Sequence, residues 1–343
     1  MKQSTQSGAL KKLLLAAVVL LLAVSSSAAQ TVLRLALPTL ETHPRNQALT
    51  VWAGAIKTQS KGQLAIVFHH GVTDYPGARI PEAVADGVYE IGVPGWWHLS
   101  RYAPDYAIPS LPMFYGREIQ TLRPLFDGSL GAALQDKLEQ ALHVQLLGKP
   151  LDLGFGQVYT TSQPVKTYAN LKGLNIRVPG SGADLARYLL FEATPRRIGV
   201  HDLADALQRQ LVGGLLATHN FVADAALWKV GVRHGFIDNQ VFYHYTPIIN
   251  RARWETLLDD EREWLVESWA GALTEMRQLV ARQQAQSRAM AARSGIKFVE
   301  VPLEERRKIR GKLLGEQNTV AKALKIDPGI VELARSLLDA KTR

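Results

Sequence analysis

Two hydrophobic periods take turns along this chain. Apolar residues alternate in "VLRLALP" (32–38), "QLAIVFHH" (63–70) and "YEIGVPG" (89–95), which predicts strands. Between them, residues 46–59 bring Trp52, Ala55 and Ile56 to one helical face, and "PEAVADG" (81–87) reads as a short helix stopped by Gly87. Residues 117–141 read as helical and "HVQLLGKP" (143–150) as a further strand. A second strand set follows in "FGQVYTTS" (155–162), "LNIRVPG" (174–180), "RRIGV" (196–200) and "GGLLATH" (213–219), with helices at 181–192, 201–210 and 221–229. Strands separated by helices of this length predict an α/β fold, and their grouping predicts two such units in succession.

Three stretches depart from that rhythm. Residues 96–116 carry Pro104, Pro109 and Pro112 among aromatics and read as a long packed loop, a kind of segment that tends to be functional. "NQVFYHYTPIIN" (239–250) is rich in β-formers, long enough to run through both units. From about 259 to 294 a single helix places Leu265, Trp269, Ala272, Met276, Leu279 and Val280 on one stripe, with acids at its start and arginines toward its end, as the helix dipole favours. A final helix is expected at about 326–340.

The first 29 residues change the picture of where the chain works. Lys2, Lys11 and Lys12 precede the apolar run "LLLAAVVLLLAV" (13–24), and Ser27-Ala28-Ala29 offers small residues for cleavage. This is the pattern of a secretory signal peptide, with an uncleaved anchor as the alternative. The run is short for a bilayer span. The chain is exported on this reading, with a mature form starting near Gln30. It has no cysteine, so disulfides and thiolate chemistry are excluded. The net charge of +9 falls to +6 once the three leader lysines are gone. The remaining basic residues are dispersed or paired with acids, as in "LEERRKIRGK" (303–312), without the aromatic-interleaved patches of nucleic-acid binders. The excess marks a mild bias toward anionic ligands or surfaces.

Enzyme motifs are missing: the chain has no Gly-x-Ser-x-Gly, His-Glu-x-x-His, phosphate-binding loop or dinucleotide fingerprint. Ser181, between Gly180 and Gly182, reads as a helix N-cap rather than a nucleophile. His69 and His70 are adjacent on a strand, face opposite sides and cannot share an ion, and His219 lacks further ligands at a diagnostic spacing, so no metal is expected. Trp96 and Trp97 could stack on a flat ligand or plug their own loop. Arg177 is the most demanding residue. It stands at the end of a strand just before Pro179, where α/β folds open onto a ligand crevice. Its planar fork of donors suits a carboxylate, whether a ligand's or a structural partner's.

Several segments in order resemble one family. "NLKGLNIRVPGS" (170–181), "PDYAIPSLPMFYG" (104–116), "ADALQRQLVGGLLATHNFVADAALWKVG" (204–231) and "HYTPIINRARWETLLDDEREWL" (244–265) are similar to the extracytoplasmic solute-binding proteins of TRAP transporters, of the DctP type. The resemblance implies a periplasmic-binding-protein-like fold of two α/β lobes with hinge strands and a long bracing helix. Lobe I would span 30–152 plus about 240–258, lobe II 153–239, the bracing helix about 259–294, and a C-terminal segment (295–343) would pack on the lobes. It also implies a periplasmic protein with no catalytic activity and no cofactor, which captures a small organic acid and delivers it to a permease driven by an ion gradient.

By the same resemblance Arg177 falls where the family's carboxylate-binding arginine stands. Two usual partners are absent: a second arginine would align with Gly156, and an asparagine with Ala217 or, displaced, Thr218. Gln157, Phe155, Tyr159, Trp96, Trp97, Thr218 and His219 complete the expected ligand contacts beside Arg177. The loss of polar contacts and the aromatics near the crevice point to a relatively apolar or aromatic monocarboxylate. A divergent exported binding or sensor paralogue that does not feed transport is the alternative, and an exported hydrolase the remoter one. The long and final helices offer surfaces for a dimer without demanding one.

Overall fold

The computed structural model describes residues 30–179 and 182–340, so the expected leader and Ser181 lie outside the described residues. Two sheets organise the chain. The first has the order β2-β1-β3-β10-β4, from β1 (Thr31–Leu37), β2 (Leu64–His70), β3 (Ile91–Gly92), β4 (Val144–Leu146) and β10 (Ile248–Asn250). The second has the order β11-β9-β5-β8-β6-β7, from β5 (Leu151–Thr160), β6 (Asn175–Val178), β7 (Thr194–Arg197), β8 (Gly214–Ala217), β9 (His234–Tyr245) and β11 (Lys297–Glu300). β1 runs parallel to β2 and β3, and β6 parallel to β7 and β8, as helical crossovers require.

The strands that connect the sheets are antiparallel. β5 and β9 pair from Leu151↔Tyr245 to Thr160↔His234, and the chain then passes through Thr246 and Pro247 into β10 of the first sheet. The single β-rich stretch expected at 239–250 is therefore two strands, because Pro247 lacks the N–H a continuous ladder needs.

The long helix, Asp259–Arg293, is 35 residues and so roughly 50 Å long. Near its start it meets the first sheet's helix Pro44–Gln59: Trp269 and Trp52 cross edge to face at 5.0 Å, and Trp52 Nε1 donates to Ser268 Oγ at 3.0 Å. Further along, Arg277 grips Asp127 and Pro150 O, and Gln284 Nε2 donates to Leu153 O at 2.9 Å while its carbonyl accepts from Asn220 N. One rigid rod is thus tied to both sheets and to the β5 strand that joins them. Among the described residues no helix is long and apolar enough to cross a membrane.

Elsewhere the local structure is more broken than the periodicity implies. Residues 117–141 form two helices, Ile119–Phe126 and Ser129–Leu142, because the chain turns at Asp127–Gly128 and Gly131 has no room for a Cβ beside Phe126 O. The expected loop at 96–116 contains a short helix, Trp96–Leu99, and 3-10 turns Pro104–Ser110 and Pro112–Phe114. Prolines in first turns fix φ there and spare an N–H that has no partner anyway. The helix expected at 221–229 is His219–Asp224 followed by a 3-10 turn, separated at Ala226, whose φ is +45°.

Candidate functional site

Arg177 is the residue around which the site is built. It lies in β6 between Arg196 of β7 and Leu215 of β8, and its side chain reaches Ile198, just beyond β7, and Leu216, within β8. Nε donates to Ile198 O at 2.9 Å, Nη1 to Leu216 O at 3.4 Å, and the guanidinium lies 5.5 Å over the Phe221 ring. The residue is 3% exposed. Burial pushes its pKa down to about 10, opposed by the Tyr243 phenol and by Asp184, so it remains charged near neutral pH. Two other buried arginines have acids in contact: Arg187 meets Asp184 at 3.2 Å and Arg306 meets Glu118 at 2.7 Å. No acidic side chain among the described residues forms an ion pair with Arg177. A buried cation held only by neutral groups is costly, and an incoming carboxylate removes much of that cost.

The neighbouring wall is Tyr243, which the sequence reading missed. Gly156 of β5 sits opposite Val241 of β9, on the same face as Tyr243. A Cβ at position 156 would stand 2.7 Å from Tyr243 Cε2 and 2.9 Å from Leu216 Cδ1. The space that a side chain at 156 would need is filled by the tyrosine ring. The Tyr243 hydroxyl is buried with no hydrogen-bond partner among the described residues. Trp96 stacks on Tyr243 at 5.6 Å and 13°, fully buried, with Nε1 donating to Phe242 O at 3.2 Å. Trp96 is therefore the backing of the wall rather than its surface. The partly exposed Trp97 meets Tyr243 at 5.0 Å and Tyr245 at 5.4 Å.

The other expected contacts disperse. Gln157 is spent on the β9 backbone, where its Oε1 accepts from Asp238 N and Asn239 N and its Nε2 donates to Asn239 Oδ1 at 2.8 Å. It clamps the irregular step in the β5–β9 ladder, a duty that occupies its carbonyl twice and one of its two amide N–H donors. Tyr159 and His219 are hydrogen bonded to each other at 2.5 Å and pack on Phe298 of β11, at the far edge of the sheet from β7, while Arg177 leans toward β7. Burial lowers the His219 pKa to about 4, so this pair is a neutral core feature. Thr218 Oγ1 donates to Asn220 Oδ1 at 2.7 Å. Phe155 packs on its cross-strand partner Phe242 at 5.2 Å, on the face opposite Tyr243. Of the eight residues named from sequence, Arg177 and Trp97 border the Tyr243 wall directly and Trp96 supports it.

Cavities elsewhere hold none of these residues. One of about 240 Å³ is bordered by Tyr106, Phe126, His244 and Thr246, and one of about 310 Å³ by Tyr168, Phe236 and Val301. Their linings have no unpaired buried cation, so the chemistry stays with Arg177. No group of three His, Asp or Glu residues among the described residues is arranged to hold a metal.

A family model described as bacterial extracellular solute-binding protein, family 7 (DctP), matches residues 38–316. The 2,3-diketo-L-gulonate-binding periplasmic protein YiaO of Escherichia coli K12 is 25% identical over 266 residues, 75% of this chain and 77% of its own. The C4-dicarboxylate-binding protein DctB of Bacillus subtilis is 24% identical over 241 residues, 70% of this chain and 67% of its own. Among solved structures, a TRAP periplasmic solute-binding protein from Ochrobactrum anthropi superposes with a TM-score of 0.83 at 19% identity, covering 92% of this chain and 97% of that one.

Proposed function

The chain belongs to family 7 of the bacterial extracellular solute-binding proteins, the DctP family, and from that premise we propose that it captures an organic carboxylate between its lobes, with Arg177 as the anchor, and passes it to a TRAP-type permease driven by an ion gradient. Members of this family bind and deliver solutes and are not enzymes, and they work outside the cytoplasm. The observation that carries the reading is the buried Arg177 guanidinium, held by two carbonyls and a ring and by no acid. Its remaining N–H groups suit a bidentate carboxylate, an interaction of about 1.5–3 kcal/mol per charged hydrogen bond.

The named relatives bind acids, a diketo-gulonate and C4-dicarboxylates. For this chain we favour an acid with a flat or branched, sparsely hydroxylated body. Gly156 and Ala217 offer no polar side chain, and Trp97 and Tyr243 present ring surface beside the anchor. The lobes are taken to be 30–152 plus about 240–258 and 153–239, with β5 and β9 of the second sheet crossing the division, and the leader to be cleaved near Ala29. A ligand touching both lobes favours the closed form by the difference of its affinities for the two states.

Thermal-shift titration with an acid panel tests the reading. Carboxylates are expected to raise Tm in the natural chain and to lose that effect in R177Q, while the corresponding primary amides do nothing. Equal stabilisation by acids in R177Q would remove Arg177 as the anchor.

A further inference from the structure

The stretch "LEERRKIRGK" (303–312) reads as basic residues paired with acids, and the structure breaks that balance on one side of a helix. The helix Leu303–Leu313 buries Arg306 and Leu313 against the body of the protein. Beside that buried edge, Leu303, Arg307, Arg310 and Leu314 follow the four-three-four spacing of one helical face, a stripe about 16 Å long. Leu303 and Leu314 are exposed, so an apolar residue stands at each end of the arginine pair. Like charges three apart on a helix repel each other. Arg117 brings a third charge to the same place from the loop that follows the 3-10 turn Pro112–Phe114.

The crowding is built in, because the loop holds the guanidinium groups through its carbonyls. Arg117 Nε donates to Met113 O at 2.7 Å, Arg310 Nη1 to Tyr115 O at 2.7 Å and Arg306 Nη1 to Gly116 O at 3.2 Å. The acids around them do not neutralise the group. Glu118 is taken by Arg306 at 2.7 Å, the exposed Glu304 is 3.7 Å from Arg307, and Asp339 acts on Arg117 through space without an ion pair. Among the described residues neither Arg117 nor Arg310 forms an ion pair or a second hydrogen bond, so two nitrogens of each are left without a partner. Both residues are partly exposed. Burial and then the charges of Arg117, Arg307 and Arg306 push Arg310 down to about 10, which leaves it charged at neutral pH.

A fixed cluster of cations with free N–H groups is made for anionic oxygen, and the guanidinium fork matches phosphate in particular. The leucines identify the source of that phosphate. A dissolved phosphate ion has no use for apolar side chains one turn to either side, whereas a phospholipid surface offers headgroup oxygen and apolar depth together. An acidic protein face is the poorer match. Protein interfaces keep their apolar residues at the centre and their charges at the rim, and here the charges are central and the leucines terminal.

We propose that Arg117, Arg307 and Arg310, flanked by Leu303 and Leu314, form a docking surface for an anionic phospholipid membrane. The arginines take headgroup phosphates and the leucines enter the interface beside them. Three cations and two leucines give a weak, reversible and salt-sensitive hold, far short of a covalent lipid or a spanning helix. The chain has no cysteine to carry a lipid, so this surface supplies a looser means of keeping an exported binding protein near the membrane. The proposal does not depend on what Arg177 binds.

Co-sedimentation of the exported protein with vesicles of phosphatidylcholine alone, or with about one third phosphatidylglycerol, tests it. Binding to the anionic vesicles is expected to be at least ten-fold tighter at low salt and to vanish at about 0.5 M NaCl, where screening is nearly complete. R117Q/R310Q should reduce it at least five-fold. Arg307 is exposed and donates no hydrogen bond to the fold, so R307Q should reduce binding two- to three-fold with Tm unchanged. L303S/L314S should weaken it at least two-fold, while K57Q/R282Q, which removes two exposed charges elsewhere, should leave it intact. Equal binding to both vesicles, or equal losses in K57Q/R282Q and R117Q/R310Q, would overturn the proposal. Release by inorganic phosphate beyond that caused by NaCl of the same ionic strength, with L303S/L314S unaffected, would reduce the surface to a phosphate-ion site. Retention on polyglutamate that R307Q weakens, without vesicle binding, would assign it to an acidic protein instead.

Discussion

The Tyr243 ring lies against the bare backbone of Gly156, where a Cβ would approach Cε2 at 2.7 Å. These two residues specify each other: the glycine admits the ring, and the ring leaves no room for a side chain at position 156. Gly156→Ala is expected to cost about 1–3 kcal/mol in urea unfolding, the usual range for overpacking a filled core. Combined with Tyr243→Ala, the cost of the added methyl should fall by about half, since Leu216 and Val241 remain close. Additive costs would mean that the ring yields freely and the pairing is incidental.

The hydroxyl of Tyr243 has a separate consequence. Buried and without a partner among the described residues, it stabilises little on its own account. Tyr243→Phe should therefore leave the ligand-free Tm unchanged or slightly higher. If the hydroxyl meets a bound acid beside Arg177, affinity falls about five-fold, in keeping with one hydrogen bond of about 1 kcal/mol. A lower Tm with unchanged affinity would assign the hydroxyl to the fold instead.

Arg177 itself should behave as a group that serves binding at the expense of the empty protein. Replacing a buried, unpaired charge by an apolar side chain of similar length is often neutral or stabilising. In Arg177→Met the two released carbonyls, Ile198 O and Leu216 O, offset part of that gain. The ligand-free Tm is expected within a few degrees of the natural chain, with carboxylate stabilisation gone. A collapse of the ligand-free fold would show that Arg177 is chiefly structural.

The alternating periods carried the α/β class, and Arg177 announced itself by standing in an apolar strand ahead of Pro179. The rest of the site was illegible for physical reasons. Gln157 looks like a polar group at a strand end, yet the β9 irregularity that consumes it involves residues more than 80 positions away. Tyr159 lies on the same sheet row as Arg177, but only the fold shows that it turns to His219 and β11. Arg45 follows His43 and Pro44 at a helix start, and periodicity says nothing of Val93 O and the Tyr245 ring that enclose it. Trp96 and Trp97 are neighbours in sequence with different duties, one buried and one partly exposed, which composition cannot separate.

Gln157 offers a clean separation of clamp from contact. Its side chain makes three hydrogen bonds to residues 238 and 239, two of them from backbone N–H groups. Gln157→Ala leaves those donors unsatisfied in a buried setting and should cost about 2–4 kcal/mol without ligand. Ligand affinity, measured below the lowered Tm, should change by less than three-fold. A large loss of affinity with unaltered stability would return Gln157 to the list of ligand contacts.

Asp238, beside that clamp, should make stability depend on pH in an unusual direction. It is fully buried in β9, accepts from Tyr115 Oη at 2.5 Å and Gln240 Nε2 at 3.0 Å, and has Arg187, Tyr168 and Tyr188 around it. Burial pushes its pKa up to about 7, more than the hydrogen bonds to Tyr115 and Gln240 and the Arg187 charge hold it down. The folded chain thus binds a proton that the unfolded chain releases near pH 4. Its contribution is fully present below that pH, is lost as pH rises through about 7, and amounts to a few kcal/mol at most. Asp238→Asn removes the titration, although buried histidines such as His98 and His244 still destabilise the fold in acid. The difference in unfolding free energy between natural chain and D238N should therefore shift in favour of the variant between pH 4 and 7 and stay level above pH 8. A difference that is flat across the whole range would mean that Asp238 is ionised throughout and that the Tyr115 contact is an ordinary charged hydrogen bond.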